Sequence, residues 1–159
     1  MREVLELLEE DGRMRPEEIA VRLGRDVDWV ISTLRQLEEE KVILGYKALV
    51  NWDRVGGNGV TAIIDVKVTP EREVGFDKVA ERIYRFPQVR SVYLMSGAYD
   101  LSVVIEGKTM KEVAFFVAEK LATLEFVQGT TTHFVLKKYK QDGVVFEESE
   151  KDFRLVVTP

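Results

Sequence analysis

Residues 16–45, PEEIAVRLGRDVDWVISTLRQLEEEKVILG, decide how the first third of this chain folds. Pro16 opens a helix well, because a first-turn residue needs no amide partner. Ile19, Ala20 and Leu23 then share one face, and Gly24 fits the left-handed position that ends a helix. Asp26 offers a carboxylate at the next N-cap. From there to about Glu40, the residues Val30, Ile31, Leu34 and Leu37 recur at helical spacing and predict one buried stripe. Only a few residues separate the two helices, as a helix-turn-helix requires. Upstream, Arg2–Glu10 predicts a further helix lined by Val4, Leu5, Leu7 and Leu8 and stopped at Asp11-Gly12. Downstream, Val42 through about Val50 predicts an extended segment, the expected wing. Residues 1–50 therefore read as a winged helix-turn-helix domain.

The charges of this segment oppose its shape. Residues 1–45 hold 7 Lys and Arg against 12 Asp and Glu, a net of −5, which is the whole net charge of the 159-residue chain. Over Asp26–Lys41, Arg35 and Lys41 face five acids, a net of −3. Carboxylates brought to phosphates forfeit the counterion release that dominates DNA affinity, so weak binding is expected. Asp26 is readily explained as a cap that complements the helix dipole. Trp29 has two open placements, beside an exposed base-reading edge or packed under the second helix.

Residues 51–59 are rich in Asn, Asp and Gly and predict a linker. Residues 60–159 then alternate between periods. Val60–Val68 predicts a strand ended by Pro70. Phe76, Val79, Ala80 and Ile83 mark a helix closed by Phe86-Pro87. Val89–Ser96 and Asp100–Glu106 predict strands joined by Gly97-Ala98-Tyr99. Met110, Val113, Ala114, Val117 and Leu121 mark a second helix. Gln128–Lys140 predicts a strand, and Gln141-Asp142-Gly143 turns it into a hairpin toward Phe153–Val157. The fold class is α+β, and strand-helix-strand repeated twice predicts a ferredoxin-like βαββαβ domain with both helices on one sheet face. Ile63, Tyr93, Met95 and Val104 would leave the other face apolar. Such a face invites a second copy, so a homodimer is expected.

Composition excludes several classes. With no cysteine there is no disulfide framework, thiolate metal site or cysteine nucleophile. His133 is the single histidine, expected at a sheet surface or interface, and alone it cannot build a zinc site. No cofactor or metal is expected. No apolar run reaches the roughly 18 residues of a membrane span and no signal peptide is evident, so a cytoplasmic protein is expected.

Five motifs in order, Glu10-Asp11-Gly12-Arg13, Ile19–Gly24, Leu34-Arg35-Gln36-Leu37-Glu38, Ile43-Leu44-Gly45-Tyr46 and Ser96-Gly97-Ala98-Tyr99-Asp100, resemble the Lrp/AsnC, or feast/famine, transcriptional regulators over nearly the whole chain. The resemblance implies an even-numbered assembly and regulation of amino-acid or related metabolism. It implies operator DNA read by the third helix, with Thr33, Arg35 and Gln36 as base or phosphate contacts and Arg22, Arg25 and Lys47 as phosphate contacts. It also implies a small effector, typically an amino acid, at Gly97, Tyr99 and Asp100, with Thr130 and Thr132 matching a family Thr-x-Thr. Two departures stand out: the third helix carries fewer arginines than the family usually does, and Ala98 stands where the family often has an acid. Two alternatives follow. One is a ligand-sensing interaction module that has lost DNA binding. The other is an enzyme like the siroheme decarboxylases, which share the architecture but would be expected to present more histidine.

Overall fold

A computed structural model of the chain describes residues 1–57, 59–69 and 75–146. It divides into two compact units, Met1–Val50 and the remainder from Asn51 on. Asn58, Pro70 as strand terminator and the final strand expected at Phe153–Val157 lie outside the described residues.

The first unit holds α1 (Arg2–Glu10), α2 (Pro16–Leu23) and α3 (Val27–Glu39). Its core is Val4, Met14, Ile19, Ala20 and Val30, with Leu7, Leu8, Leu23, Val27, Trp29 and Leu34 packed around them. Gly24 ends α2 at φ 60°, a left-handed conformation that glycine adopts without the Cβ penalty. Two residues later the Asp26 carboxylate accepts the Asp28 N–H at 2.8 Å and starts α3. Both expected caps are present.

The buried stripe of α3 is Val30, Thr33 and Leu37, not the expected Val30, Ile31, Leu34 and Leu37. Ile31 is 40% exposed and Thr33 only 5%. Each residue advances the helix by about 100°, so the faces are fixed by steps of three and four from Val30. Thr33 falls on the inner side and Ile31 one step outside it.

Beyond α3, Lys41 takes a left-handed φ of 58°, and the Val42 and Ile43 amides both donate to Leu37 O. Residues 44–50 continue without a strand partner among the described residues. The expected wing thus shows no hydrogen-bonded strand ladder among the described residues. Further along it, Tyr46 Oη–H donates to Glu38 Oε1 of α3 at 2.9 Å.

The second unit contains β1 (Val60–Val68), α4 (Phe76–Tyr84), β2 (Val89–Leu94), β3 (Leu101–Gly107), α5 (Met110–Phe116), and β4 (Val127–Phe134). A wider π turn, Val117–Leu121, extends α5. The sheet is antiparallel throughout, in the order β2-β3-β1-β4. Ala62, Ile64, Val66 and Val68 of β1 and Leu101, Val103 and Ile105 of β3 alternate inward. They bury against Val79 and Ile83 of α4 and Val113, Phe116, Val117 and Leu121 of the second helix. Phe86 closes the end of α4 by meeting the Phe116 ring edge-on, centroids 5.3 Å apart. The final strand stops at Phe134, six residues before the expected Lys140. The chain then forms a small hairpin of β5 (Lys140–Gln141) and β6 (Val144–Val145). Asp142 and Gly143 both take positive φ, as a two-residue hairpin turn demands.

Register identifies the opposite sheet face. Ile63 pairs with Val104 and His133, Asp65 with Ser102 and Thr131, and Tyr93 with Ser102. Directly paired residues share a face, so Ile63, Val104 and Tyr93 do stand together away from the helices. Met95 lies just past the end of β2 and is also exposed. The face is less apolar than expected, because His133 Nε2 and Asp65 Oδ2 form a pair 3.0 Å apart upon it.

Candidate DNA-facing helix and effector cavity

Burial of Val30, Thr33 and Leu37 leaves Asp28, Ser32, Arg35 and Glu39 at the centre of the outward side of α3. Thr33, expected to contact DNA, is therefore core. Gln36 is exposed but its amide donates to Glu40 Oε1 at 2.7 Å. Arg35 is exposed and has no ion pair or hydrogen bond among the described residues. Lys47 stands likewise on the extended segment. Arg25 lies with its guanidinium 5.0 Å from the Trp29 ring centroid. This resolves the placement of Trp29, which packs on the core cluster of the unit and stacks Arg25 on its outer side. Arg22 sits 4.0 Å from Glu10 Oε2, so an acid competes for it.

Tyr46 is coupled to the acids of α3. Burial and the hydrogen bond to Glu38 both disfavour its charged form, and its pKa rises above the ordinary 10.0. A raised folded-state pKa means that the stabilisation holds at neutral pH and is lost as pH climbs through the Tyr46 value. In an absorbance titration the phenol titrating above 10.0 should be missing in Tyr46→Phe, and Glu38→Gln should shift it down. Identical titration curves for wild type and Tyr46→Phe would contradict this linkage.

In the second unit, the link between β2 and β3 is built around Gly97 and Asp100. Gly97 takes φ 151°, a value that L side chains rarely adopt. Met95 N–H donates to Asp100 O at 2.8 Å, and Asp100 N–H to Val66 O at 3.0 Å. The Asp100 carboxylate turns inward, where Oδ2 accepts the Val68 N–H at 2.8 Å and lies 3.5 Å from Lys67 Nζ. Lys67 Nζ also donates to Ala98 O at 3.2 Å. Tyr99 Oη and Thr131 Oγ1 are 2.7 Å apart.

These contacts frame an open cavity of about 390 Å³ lined by Lys67, Ala98, Tyr99, Gln128, Gly129 and Thr130. Of the expected effector residues, Tyr99 and Thr130 line it, while Gly97 and Asp100 flank Ala98-Tyr99 in the link and Asp100 holds Lys67. Thr132 does not line it. It shares the helix-covered side with Thr130, the two pairing with buried Ile64 and Val66, and lies further along β4 from the cavity. Lys67, Gln128 and Thr131 were missed. The strand register slips between Lys67 and Val68, so that Gly129 pairs with Lys67 but Val127 with Val68. That slip presents Gln128 and Gly129 at the cavity, and no local pattern announces it.

Residues 61–145 match the family model of the Lrp/AsnC ligand binding domain. The chain is 59% identical over 158 residues to an uncharacterized HTH-type transcriptional regulator, YugG, of Bacillus subtilis, covering 99% of this chain and 95% of that one. It is 26% identical over 141 residues to the proline dehydrogenase transcriptional activator of Rhizobium radiobacter, with 89% and 90% covered. Among solved structures, the transcriptional regulator NMB0573 of Neisseria meningitidis in complex with L-Met superposes with a TM-score of 0.71 at 26% identity, over 87% of this chain and 89% of that one. The matched ligand-binding segment and these relatives show that the chain belongs to the Lrp/AsnC family of transcriptional regulators.

Proposed function

We propose that this protein is an effector-responsive, DNA-binding transcriptional regulator of amino-acid or related metabolism, and not an enzyme. Residues 1–50 act as a winged helix-turn-helix domain, 51–59 as linker, and 60–159 as a ferredoxin-like effector-binding and dimerisation domain. The observation that carries the reading is the tight joint between α2 and α3. Gly24 and Asp26 end one helix and start the next, and Arg35 is left outward and unpaired among the described residues. Arg35 and Gln36 are the base or phosphate contacts of this reading, and Arg25, Lys47 and Arg22 its phosphate contacts. The effector is a free amino acid, a reading supported by the complex of the Neisseria relative with L-Met. It is held at the cavity beside Gly97, Tyr99, Asp100 and Thr130. A cytoplasmic location fits this role, and no described helix is long and apolar enough to cross a membrane.

The acidity of α3 favours one second reading, a ligand-sensing interaction module with weakened DNA binding. A thermal-shift screen of the common amino acids tests the effector half of the proposal, because a ligand that binds only the native state raises its stability. At least one amino acid should raise the melting temperature; a flat screen would remove the effector role.

The open sheet face carries the expected assembly. Ile63 and Tyr93 are 38% and 54% exposed in the single chain and lie in line with half-buried Val104. Covering such a face withdraws hydrocarbon from water at about 25 cal/mol per Å². Light scattering at micromolar concentration should report a dimer or a larger even-numbered oligomer. Ile63→Glu should shift it toward monomer, and a wild-type monomer would refute the assembly.

A further inference from the structure

The outward face of α3 contains one side chain that neither packing nor polarity explains. Ile31 is 40% exposed on a helix whose other outward residues are polar or charged. It stands one turn before Arg35, and side chains four apart on a helix are neighbours, about 5–6 Å apart at Cβ. Three polar side chains nearby are already engaged, while the Asp28 carboxylate has no partner among the described residues. Ser32 Oγ–H donates to Trp29 O at 2.9 Å, Gln36 to Glu40, and Glu38 accepts from Tyr46. Arg35 alone among the outward donors of α3 keeps its hydrogen bonds open among the described residues. The face therefore offers a DNA groove one free guanidinium and one branched hydrocarbon side by side.

In the major groove each base pair shows a distinct edge, and thymine alone shows a methyl group. A guanidinium matches the two acceptors of guanine. A branched aliphatic side chain matches the thymine methyl. Against cytosine or adenine the same side chain would cover an amino group without giving it an acceptor, which is costly. We propose that Ile31 is a specificity-determining residue that reads a thymine methyl one or two base pairs from the guanine read by Arg35. The inference rests on α3 being the DNA-facing helix. The net charge of −3 over Asp26–Lys41 strengthens it. Where phosphate attraction is weak, apolar contact with a base supplies a larger share of the affinity, and that share does not depend on salt.

The test uses the full-length protein and a DNA duplex that it enriches from a random-sequence pool. Each thymine of that duplex is replaced singly by deoxyuridine, which removes only the methyl group, and binding is followed by fluorescence anisotropy. At one thymine near a guanine the replacement should weaken wild-type binding about fourfold, the worth of one buried methyl. Ile31→Ala should bind the thymine probe less tightly by at least the same factor and should no longer distinguish it from the deoxyuridine probe. Ile31→Val should keep most of the discrimination. The Ile31→Ala loss should be the same at about 50 and 200 mM salt, whereas Lys47→Ala should show a loss that shrinks as salt rises. Circular dichroism identical to wild type would establish that Ile31→Ala is folded. Enrichment of a duplex to which deoxyuridine makes no difference, or equal sensitivity in wild type and Ile31→Ala, would overturn the role of Ile31 alone. Failure to enrich any sequence would overturn the DNA-facing reading of α3 and the inference with it.

Discussion

Asp100→Ala should abolish the amino-acid-induced rise in melting temperature and destabilise the unligated protein by about 2 kcal/mol. The two effects have one origin. The carboxylate is 19% exposed, and its Oδ2 serves both the buried Val68 amide and the Lys67 ammonium. Alanine leaves a buried N–H without an acceptor and releases Lys67, which then holds the link only through Ala98 O. The cavity wall at Lys67, Ala98 and Tyr99 loses its frame. Asp100→Asn separates this role from direct recognition of the ligand ammonium. An amide oxygen can still accept from Val68, so most of the stability and the effector response should survive. Differential scanning calorimetry of both variants with and without the amino acid provides the check. A stable Asp100→Asn protein without a response would mean that the charge itself meets the ligand. Loss of the dimer in Asp100→Ala would show that the residue supports the assembly.

Reversing Asp28 and Glu39 to lysine should strengthen non-specific duplex binding on the order of tenfold per site at 0.1 M salt. Both lie at the centre of the outward face of α3, with no hydrogen bond or ion pair from their carboxylates among the described residues. Each reversal removes a carboxylate facing phosphate and supplies a cation that displaces a counterion. The slope of log affinity against log salt should steepen by about 0.9 for every new phosphate contact. A fluorescence titration at several salt concentrations reads both quantities. Unchanged affinity and slope would mean that this face does not meet DNA, and the interaction-module reading would gain.

What the sequence made legible was chemistry decided by single residues. Gly24 needs a left-handed turn and Asp26 caps whatever helix follows, so the joint of α2 and α3 was readable without tertiary information. The alternation of Val60–Val68 likewise announced a half-covered strand, and the spacing of Val79 and Ile83 its helix. Errors came where hydrophobicity and geometry disagree. Ile31 was placed inside because it is apolar and Thr33 outside because it is polar, yet three- and four-residue steps from Val30 decide otherwise. Thr130 and Thr132 were matched as a pair, but the facing of β4 depends on its pairing with β1, more than sixty residues earlier. That pairing turns Thr130 and Thr132 alike toward the helix-covered side, opposite Val66 and Ile64, and leaves Thr131 between them to meet Tyr99. The pairing of the wing was not legible for a related reason: a strand needs a partner, and residues 44–50 have none among the described residues.

The central claim is that one chain both reads DNA and senses a small amino acid. Its most direct test is sequencing of genomic fragments captured by the full-length protein at low and at physiological salt, with and without the amino acid found by thermal shift. The account predicts a small set of enriched fragments that share a motif, whose recovery falls at higher salt and changes when the amino acid is added. Recovery of fragments without any shared motif, even at low salt, would contradict it.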